Sequence, residues 1–365
     1  MSNHLSPTAA SRAVAIWLAI VIAMVAAIVL VGGLTRLTDS GLSITEWKPV
    51  TGVIPPLGEE AWQAELEKYR STTEYQVQNK GMSLEAFKAI FWWEWGHRLL
   101  ARAIGLVVLL PLLWFWRRGT LAGPMLTRGF VLFGLVCAQG LLGWLMVVSG
   151  LVGRLDVSQY RLAAHLGLAV AIFAWAMMML LDQRRGPAPR ERNAATGLAL
   201  ALAAAVFLQI LLGGLVAGLD AGLTYNTWPL MDGALVPGGL FTERPWWTNF
   251  GENVAMVQFQ HRMTGYAVAI LAAAALGVAM RRRQAAGAAG ALMALVLLQI
   301  VLGVLTLLAG GEGVQPIALG ATHQVGALAV FAAALVHLRL VRERPALGAA
   351  LQFAAPAKTT FPSPL

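Results

Sequence analysis

Apolar residues run through this chain in long, nearly unbroken blocks rather than in short alternating stretches. Eight blocks stand out, at roughly 13–34, 98–116, 127–149, 162–181, 194–219, 261–280, 288–309 and 320–341. Each is close to the about 20 residues a helix needs to cross a hydrocarbon core about 30 Å thick. Barrel strands are shorter and alternate in polarity, so helices are the spanning element here. Ala, Leu and Gly dominate the blocks, as in closely packed membrane helices. The pattern therefore predicts an all-α integral membrane protein with eight transmembrane helices. The first block is longer than a signal-peptide core, and Gly32-Gly33-Leu34-Thr35-Arg36 contains no small-x-small cleavage site, so it is expected to be retained.

Composition agrees. Of 365 residues, 58% are hydrophobic and 12% charged, about half the charged fraction of a soluble domain. The net charge of +9 would suit a nucleic-acid partner, but its distribution argues against one. Arg12 precedes the first block. Arg117, Arg118 and Arg128 lie between the second and third, Arg184, Arg185, Arg190 and Arg192 between the fourth and fifth, and Arg281, Arg282 and Arg283 between the sixth and seventh. Arg339, Arg342, Arg344 and Lys358 close the series. The positive-inside rule makes this face, and both termini, cytoplasmic. The opposite loops are longer and carry Asp220, Asp232, Glu243, Glu252 and Glu312. A bacterial inner membrane suits that topology, with lipid rather than nucleic acid as the partner. Cys137 is the single cysteine and falls in the third block, which leaves no intramolecular disulfide and predicts a buried, small apolar role.

The chain also repeats itself. Gly32-Gly33-Leu34 leads to Asp39, Gly41, Leu42, Trp47 and Gly52, and at a constant offset Gly213-Gly214-Leu215 leads to Asp220, Gly222, Leu223, Trp228 and Gly233. His97-Arg98 matches His261-Arg262, Gln139 and Gly143 match Gln299 and Gly303, and Ala164-His165 matches Thr322-His323. Two pseudo-symmetric four-helix bundles follow, residues 13–181 (with a long outer loop, 35–96) and 194–341. A linker, 182–193, joins them, and tails 1–12 and 342–365 flank them. Four helices per half make the repeat parallel, about an axis along the membrane normal. Gln139 with Gly143, Gln209 with Gly213 and Gln299 with Gly303 each share a helix face. They suit close packing with an interhelical hydrogen bond, or else polar contact with a ligand.

Four of the six histidines occupy equivalent places. His97, His165, His261 and His323 each begin a block running from the outer face inward, so they are expected in first helical turns at one depth. Facing imidazoles on neighbouring helices can fill both axial positions of a haem iron, His97 with His165 and His261 with His323. A lone intramembrane histidine otherwise makes a helix–helix hydrogen bond, and zinc would want four ligands. His337 lies about 21 Å further along its helix than His323, at the cytoplasmic end, where a structural role is expected. His4 falls in the tail. Arg98, Arg161 and Arg262 either snorkel to headgroups or pair with haem propionates.

The halves differ at one telling place. Glu94 stands three residues before His97, and Gln258 three before His261. If each helix extends outward, both lie on the histidine's face. A carboxylate there can act as base, proton acceptor or partner of a developing cation, which a Gln cannot; the alternative is a solvated loop residue. The first outer loop also carries amphipathic pieces around Leu57–Arg70 and Leu84–Trp95. Trp92, Trp93, Trp95, Trp246 and Trp247 suit an interfacial belt or a porphyrin rim.

These motifs together resemble the haem A synthase family. The resemblance runs through Gly32 to Thr38, Ser40-Gly41-Leu42-Ser43, Trp47-Lys48-Pro49, Gly52, Pro55-Pro56 and Glu94-Trp95-Gly96-His97-Arg98. It continues through His165, Asn226 to Gly233, Gln260-His261-Arg262 and Thr322-His323-Gln324. It implies oxidation of a methyl group of haem O, by successive hydroxylation, to the formyl group of haem A, for cytochrome oxidase. It also implies that His97 and His165 hold the substrate haem, that His261 and His323 hold haem B as cofactor, and that Glu94 is catalytic. The cysteine pair that some bacterial members carry in the first outer loop is absent, as in the proteobacterial and mitochondrial branch, which excludes a disulfide-based redox step. Haem O synthase and cytochrome oxidase assembly factors are partners the resemblance implies; the electron acceptor stays open. The competing functions are a diheme cytochrome b-type electron carrier and a haem transporter or chaperone.

Overall fold

The computed structural model describes residues 9–151, 155–186, 193–311, 313 and 316–343. His4, Arg190, Arg192, Glu312, Arg344, Lys358 and most of both predicted tails lie outside them. The element order is α1 (Ala9–Leu37), α2 (Glu59–Arg70), α3 (Thr73–Val77), α4 (Leu84–Arg117), α5 (Gly123–Gly150), α6 (Gln159–Arg185), α7 (Ala194–Gly218), α8 (Asn249–Glu252), α9 (Val254–Arg282), α10 (Ala286–Ala309) and α11 (Ile317–Val341). Among the described residues, eight of these helices are long and apolar enough to cross a membrane. The protein is a multi-pass, all-helical membrane protein.

Two helices exceed what hydropathy alone predicts. The second spanning helix, α4, starts at Leu84, where the Ser83 hydroxyl accepts from the Ala86 amide. In the second half, α9 starts at Val254, where the Asn253 side chain caps the Met256 amide. Such caps satisfy amide groups that a helix start leaves unpaired. His97 consequently stands 13 residues past Leu84, well beyond the first turns expected of it, whereas His261, His165 and His323 stand seven, six and six residues past Val254, Gln159 and Ile317, within about two turns of each helix start. The polar outward extension escapes a hydropathy window because its apolar face is satisfied by protein rather than lipid. Phe87 and Phe91 of α4 pack with Trp62, Tyr69 and Tyr75 from α2 and α3 into a separate small core, in which Trp62 and Phe91 meet edge-on at 4.9 Å. The amphipathic pieces of the first outer loop thus become α2 and the outer third of α4.

The spanning helices contact one another in two closed cycles. One joins α1, α4, α5 and α6, and the other joins α7, α9, α10 and α11. Between the cycles, α6 packs on α7, α1 on α11, and α6 on α11, and a single apolar core runs through both. Small residues permit the closest approach: a Cβ on Gly218 would lie 2.6 Å from the Gln159 Cα, and one on Gly214 would lie 3.1 Å from the Ala163 Cα. Ion pairs join the cycles at both faces. At one face Arg36 of α1 reaches Asp220 at 2.7 Å. At the opposite face Asp182 of α6 receives Arg128 of α5 at 2.7 Å and Arg339 of α11 at 3.3 Å. Arg339 was expected among the basic residues after the last helix; it lies within α11, 1% exposed, and also donates to Glu343 and to the Gly186 carbonyl.

Cys137 corrects an expectation. It is exposed on the outer surface of α5, a peripheral helix that buries few of its residues, so it faces lipid rather than core. Replacing Gly218 by Leu should force α6 and α7 apart, a strain of about 1–3 kcal/mol for overpacking. We expect a lower melting temperature of the detergent-purified protein by fluorescence-detected size-exclusion; an unchanged value would mean that the contact is not tight.

Candidate active site

Each of the four histidines lies against a glycine on the neighbouring helix. A Cβ on Gly32 of α1 would stand 3.1 Å from His97 Nε2, and one on Gly143 of α5 would stand 3.0 Å from His165 Cε1. In the second cycle a Cβ on Gly213 of α7 would stand 3.3 Å from His261 Cε1, and one on Gly303 of α10 would stand 2.8 Å from His323 Cε1. Any larger residue would press on the ring, so the glycines make the room that the imidazoles occupy. His97 and His165 stand on α4 and α6 of the first cycle, and His261 and His323 on α9 and α11 of the second; each pair of helices lies across its cycle rather than side by side.

The paired glutamines turn out to serve the histidines directly. Gln139 Nε2 donates to the His165 carbonyl at 3.0 Å, Gln209 Nε2 to the His261 carbonyl at 3.0 Å, and Gln299 Nε2 to the His323 carbonyl at 2.6 Å. The interhelical hydrogen bond read from the sequence is present; its target, the histidine's own backbone, was not legible. No spacing rule names an acceptor on another helix.

Three residues before each pair's first histidine, the halves use opposite chemistry. Glu94 is 3% exposed, not a solvated loop residue. Its Oε1 accepts from Arg98 at 2.6 and 3.1 Å, and its Oε2 from the Ser43 hydroxyl and the Ile44 amide, both at 2.7 Å. Gln258, equally buried, donates to the Ala221 and Thr224 carbonyls at 2.8 and 2.6 Å and accepts from Arg262 at 3.0 Å. A carboxylate can only accept and an amide can also donate, so each loop presents the backbone and side-chain groups its partner requires. Ser43 is a residue that sequence reasoning quoted without assigning it a role; its place in the loop that folds back over α4 became visible only in three dimensions.

The arginines do not simply snorkel. Arg98 also donates to the Ile44 and Glu46 carbonyls at 2.7 and 3.0 Å, and Arg102 binds the Lys48 and Pro49 carbonyls. Arg262 holds the Tyr225 and Thr227 carbonyls at 2.7 and 2.9 Å, and its Nε is buried without a partner. Both arginines tie the loop after α1 or α7 to the histidine helix. Arg161 is exposed, with one long bond, 3.4 Å, to the Leu145 carbonyl. His337, 2% exposed, sits apart near the inner end of α11, beside Gln284 and Arg282. Trp92 and Trp93 remain exposed on the outward extension of α4, while Trp95 packs edge-on against Trp92.

Behind Glu94 the outer loop carries a second buried acid. Glu74 is 4% exposed; its Oε1 accepts from the Tyr69 hydroxyl at 3.0 Å and its Oε2 has no partner. Burial pushes its carboxyl up to about 7, and the negative charges of Glu94, Asp39 and Asp156 add to the effect against the Tyr69 hydrogen bond. Burial and Glu74 likewise push the Tyr69 phenol up.

A raised carboxyl pKa means the fold binds a proton that the unfolded chain, at 4.5, gives up. Its contribution to stability is therefore complete below pH 4.5 and is lost as pH rises towards 7. Glu74→Gln should abolish this dependence: hydrogen exchange in residues 57–83 should speed up between pH 5 and 7.5, beyond the intrinsic chemical rate, in the parent protein and not in the variant.

Among the described residues, no three His, Cys, Asp or Glu side chains converge as a multidentate metal site would require. Each cycle instead contributes two imidazoles. Comparison with known proteins gives the family. Residues 15–335 match the COX15-CtaA family, described as cytochrome oxidase assembly protein. The chain is 50% identical to "Heme A synthase" of Maricaulis maris over 88% of this chain and 94% of the relative. It is 49% identical to "Heme A synthase" of Parvibaculum lavamentivorans over 92% and 96%, and 52% identical to that of Chelativorans sp. over 90% and 91%.

Proposed function

The chain belongs to the COX15-CtaA family of cytochrome oxidase assembly proteins, and on that premise we propose a haem A synthase with a reacting haem in the first half and a resident one in the second. The enzyme is an oxidoreductase that converts a methyl group of haem O into the formyl group of haem A. His97 and His165 would hold haem O as substrate; His261 and His323 would hold haem B. We read the two helix cycles as copies of one repeat, 13–181 and 194–341, set in a bacterial inner membrane with cytoplasmic termini and with both haem sites near the periplasmic face.

The residues fit these groups. Each pair supplies two imidazoles and, among the described residues, no third protein ligand, and each imidazole rests in a recess that a Cβ would fill. Haem B, when bound, supplies a one-electron redox centre. The protein's own work is to bind, orient and polarise. The outer-face position lets an apolar ring enter the bundle while its propionates stay near water. Arg161, which is exposed, and Arg262, with one unpartnered N–H, have donors to offer those propionates. Every guanidinium nitrogen of Arg98 already has a partner, so we assign Arg98 to holding Glu94 and the 44–46 loop.

The observation that carries the assignment of roles is the exchange of Glu94 for Gln258 in otherwise matching settings. Methyl oxidation removes electrons from a carbon attached to the ring. A fixed carboxylate one turn from His97 stabilises positive charge developing there and can accept the proton released. In the second half the same place holds an amide that cannot take up a proton, as suits a centre that only passes electrons. A diheme electron carrier has no need of this difference.

Glu94→Gln should lower haem A formation by about 10²-fold or more while His97→Ala abolishes it, measured by chromatography of haems extracted from membranes. Full haem A formation in Glu94→Gln would end the catalytic assignment. The purified parent protein should yield haem B together with haem O or haem A; haem B alone, two per chain, would favour an electron carrier.

A further inference from the structure

One asymmetry lies beside the Glu94 exchange and involves the imidazoles themselves. In the second half both rings are touched by a glutamine amide. Gln209 Nε2 lies 3.2 Å from each ring nitrogen of His261, and Gln299 Nε2 lies 3.0 Å from His323 Nδ1. In the first half neither ring is. Gln139 reaches only the His165 carbonyl, and His165 Nδ1 is buried without a partner. Opposite His97 there is no glutamine: four residues before Gly32, where Gln209 precedes Gly213, stands Ile28.

The helix carrying each histidine explains the difference. Gly326, three residues after His323, leaves space that the Gln299 amide fills; a Cβ there would overlap Gln299 Oε1. Gly265, four after His261, does the same for Gln209, whose Nε2 would lie 3.4 Å from an added Cβ. The corresponding first-half positions are Leu168 and Ala101. The second half therefore has both the amide and the recess for it at each histidine, and the first half never has both.

We propose that Gln209 and Gln299 are positioning residues that fix the second-half imidazoles as permanent haem ligands, and that their absence from the first-half rings leaves His97 and His165 free to release haem at each turnover. The inference rests on the haem assignment above and deepens it. Gln209 and Gln299 each grip the histidine's own carbonyl with the same amide nitrogen that lies against its ring, so the ring cannot turn without displacing a bonded side chain. A ligand held in one orientation by its neighbours keeps its metal more tightly. A substrate site needs the opposite property, because haem O must enter and haem A must leave.

The test is transfer of haem from the detergent-purified, haem-loaded protein to excess apomyoglobin, with the transferred haems separated by chromatography and the retained haem followed by electron paramagnetic resonance. In the parent protein haem O and haem A should transfer faster than haem B. Gln209→Leu and Gln299→Leu should each speed haem B transfer on the order of tenfold or more and alter its low-spin signal. Gln139→Leu, which removes only a backbone bond, should leave haem B transfer unchanged. Ile28→Gln with Ala101→Gly, which installs amide and recess beside His97, should slow transfer of haem O and haem A, and it decides the matter if the leucine variants do not fold. Unchanged haem B transfer in both folded leucine variants, equal acceleration by Gln139→Leu, or no slowing in the installed pair would overturn the proposal while leaving the haem assignment standing. A purified protein without haem B would remove that assignment itself.

Discussion

An imidazole in a membrane bundle must be accommodated between helices that otherwise touch side chain to side chain, and it needs polar company that lipid does not provide. Here the solution is the same four times: a glycine on the facing helix withdraws its side chain and the ring fills the space. Everything else at the outer face depends on that arrangement. The glycines set how closely α1 approaches α4 and α5 approaches α6, and likewise α7 with α9 and α10 with α11. That spacing decides which side chains border the rings. Gly214 and Gly218 apply the same device between α6 and α7, where the two cycles meet, so one packing rule builds both the sites and the contact that joins them.

Upon this shared frame the halves diverge by hydrogen-bond polarity. Glu94 collects donors, from Ser43, Ile44 and Arg98, whereas Gln258 gives its protons to the Ala221 and Thr224 carbonyls. The arginine that follows each histidine closes the arrangement by holding the adjoining loop. The first half adds α2 and α3, whose aromatic core encloses Glu74 and carries the acidic character of the outer surface close to Glu94. The second half adds amides at the rings. One half has a carboxylate near imidazoles whose rings no glutamine touches, and the other has an amide in its place near rings that glutamines touch. On the proposed assignment the first would suit a site that oxidises a ligand it must release, and the second a site that keeps a cofactor.

Much of this was legible in the chain. Eight spanning helices follow from the length of the apolar blocks, because the hydrocarbon core sets a length that soluble helices have no reason to keep. The four equivalent histidines and the Glu94/Gln258 difference could be read because the chain's internal repeat is its own comparison: where the two copies match, the frame is visible, and where they differ, the difference stands out. Other features were misplaced. His97 is deep within α4, because turns that pack on protein carry no lipid-like hydropathy. Cys137 faces outward, since apolar residues on a peripheral membrane helix look alike whether they meet lipid or core.

The sequence by itself therefore determined the number and type of the helices, the duplication, and which residue types stand at equivalent places. These are properties of periodicity, length and self-similarity along one dimension. Only the tertiary structure decided whom each residue meets: that a glycine faces every histidine, that the glutamines reach the histidines' own carbonyls, and that amides touch rings in one half alone. Those contacts join residues 20 to 65 positions apart. Their existence depends on helix rotation and separation, which no local pattern encodes.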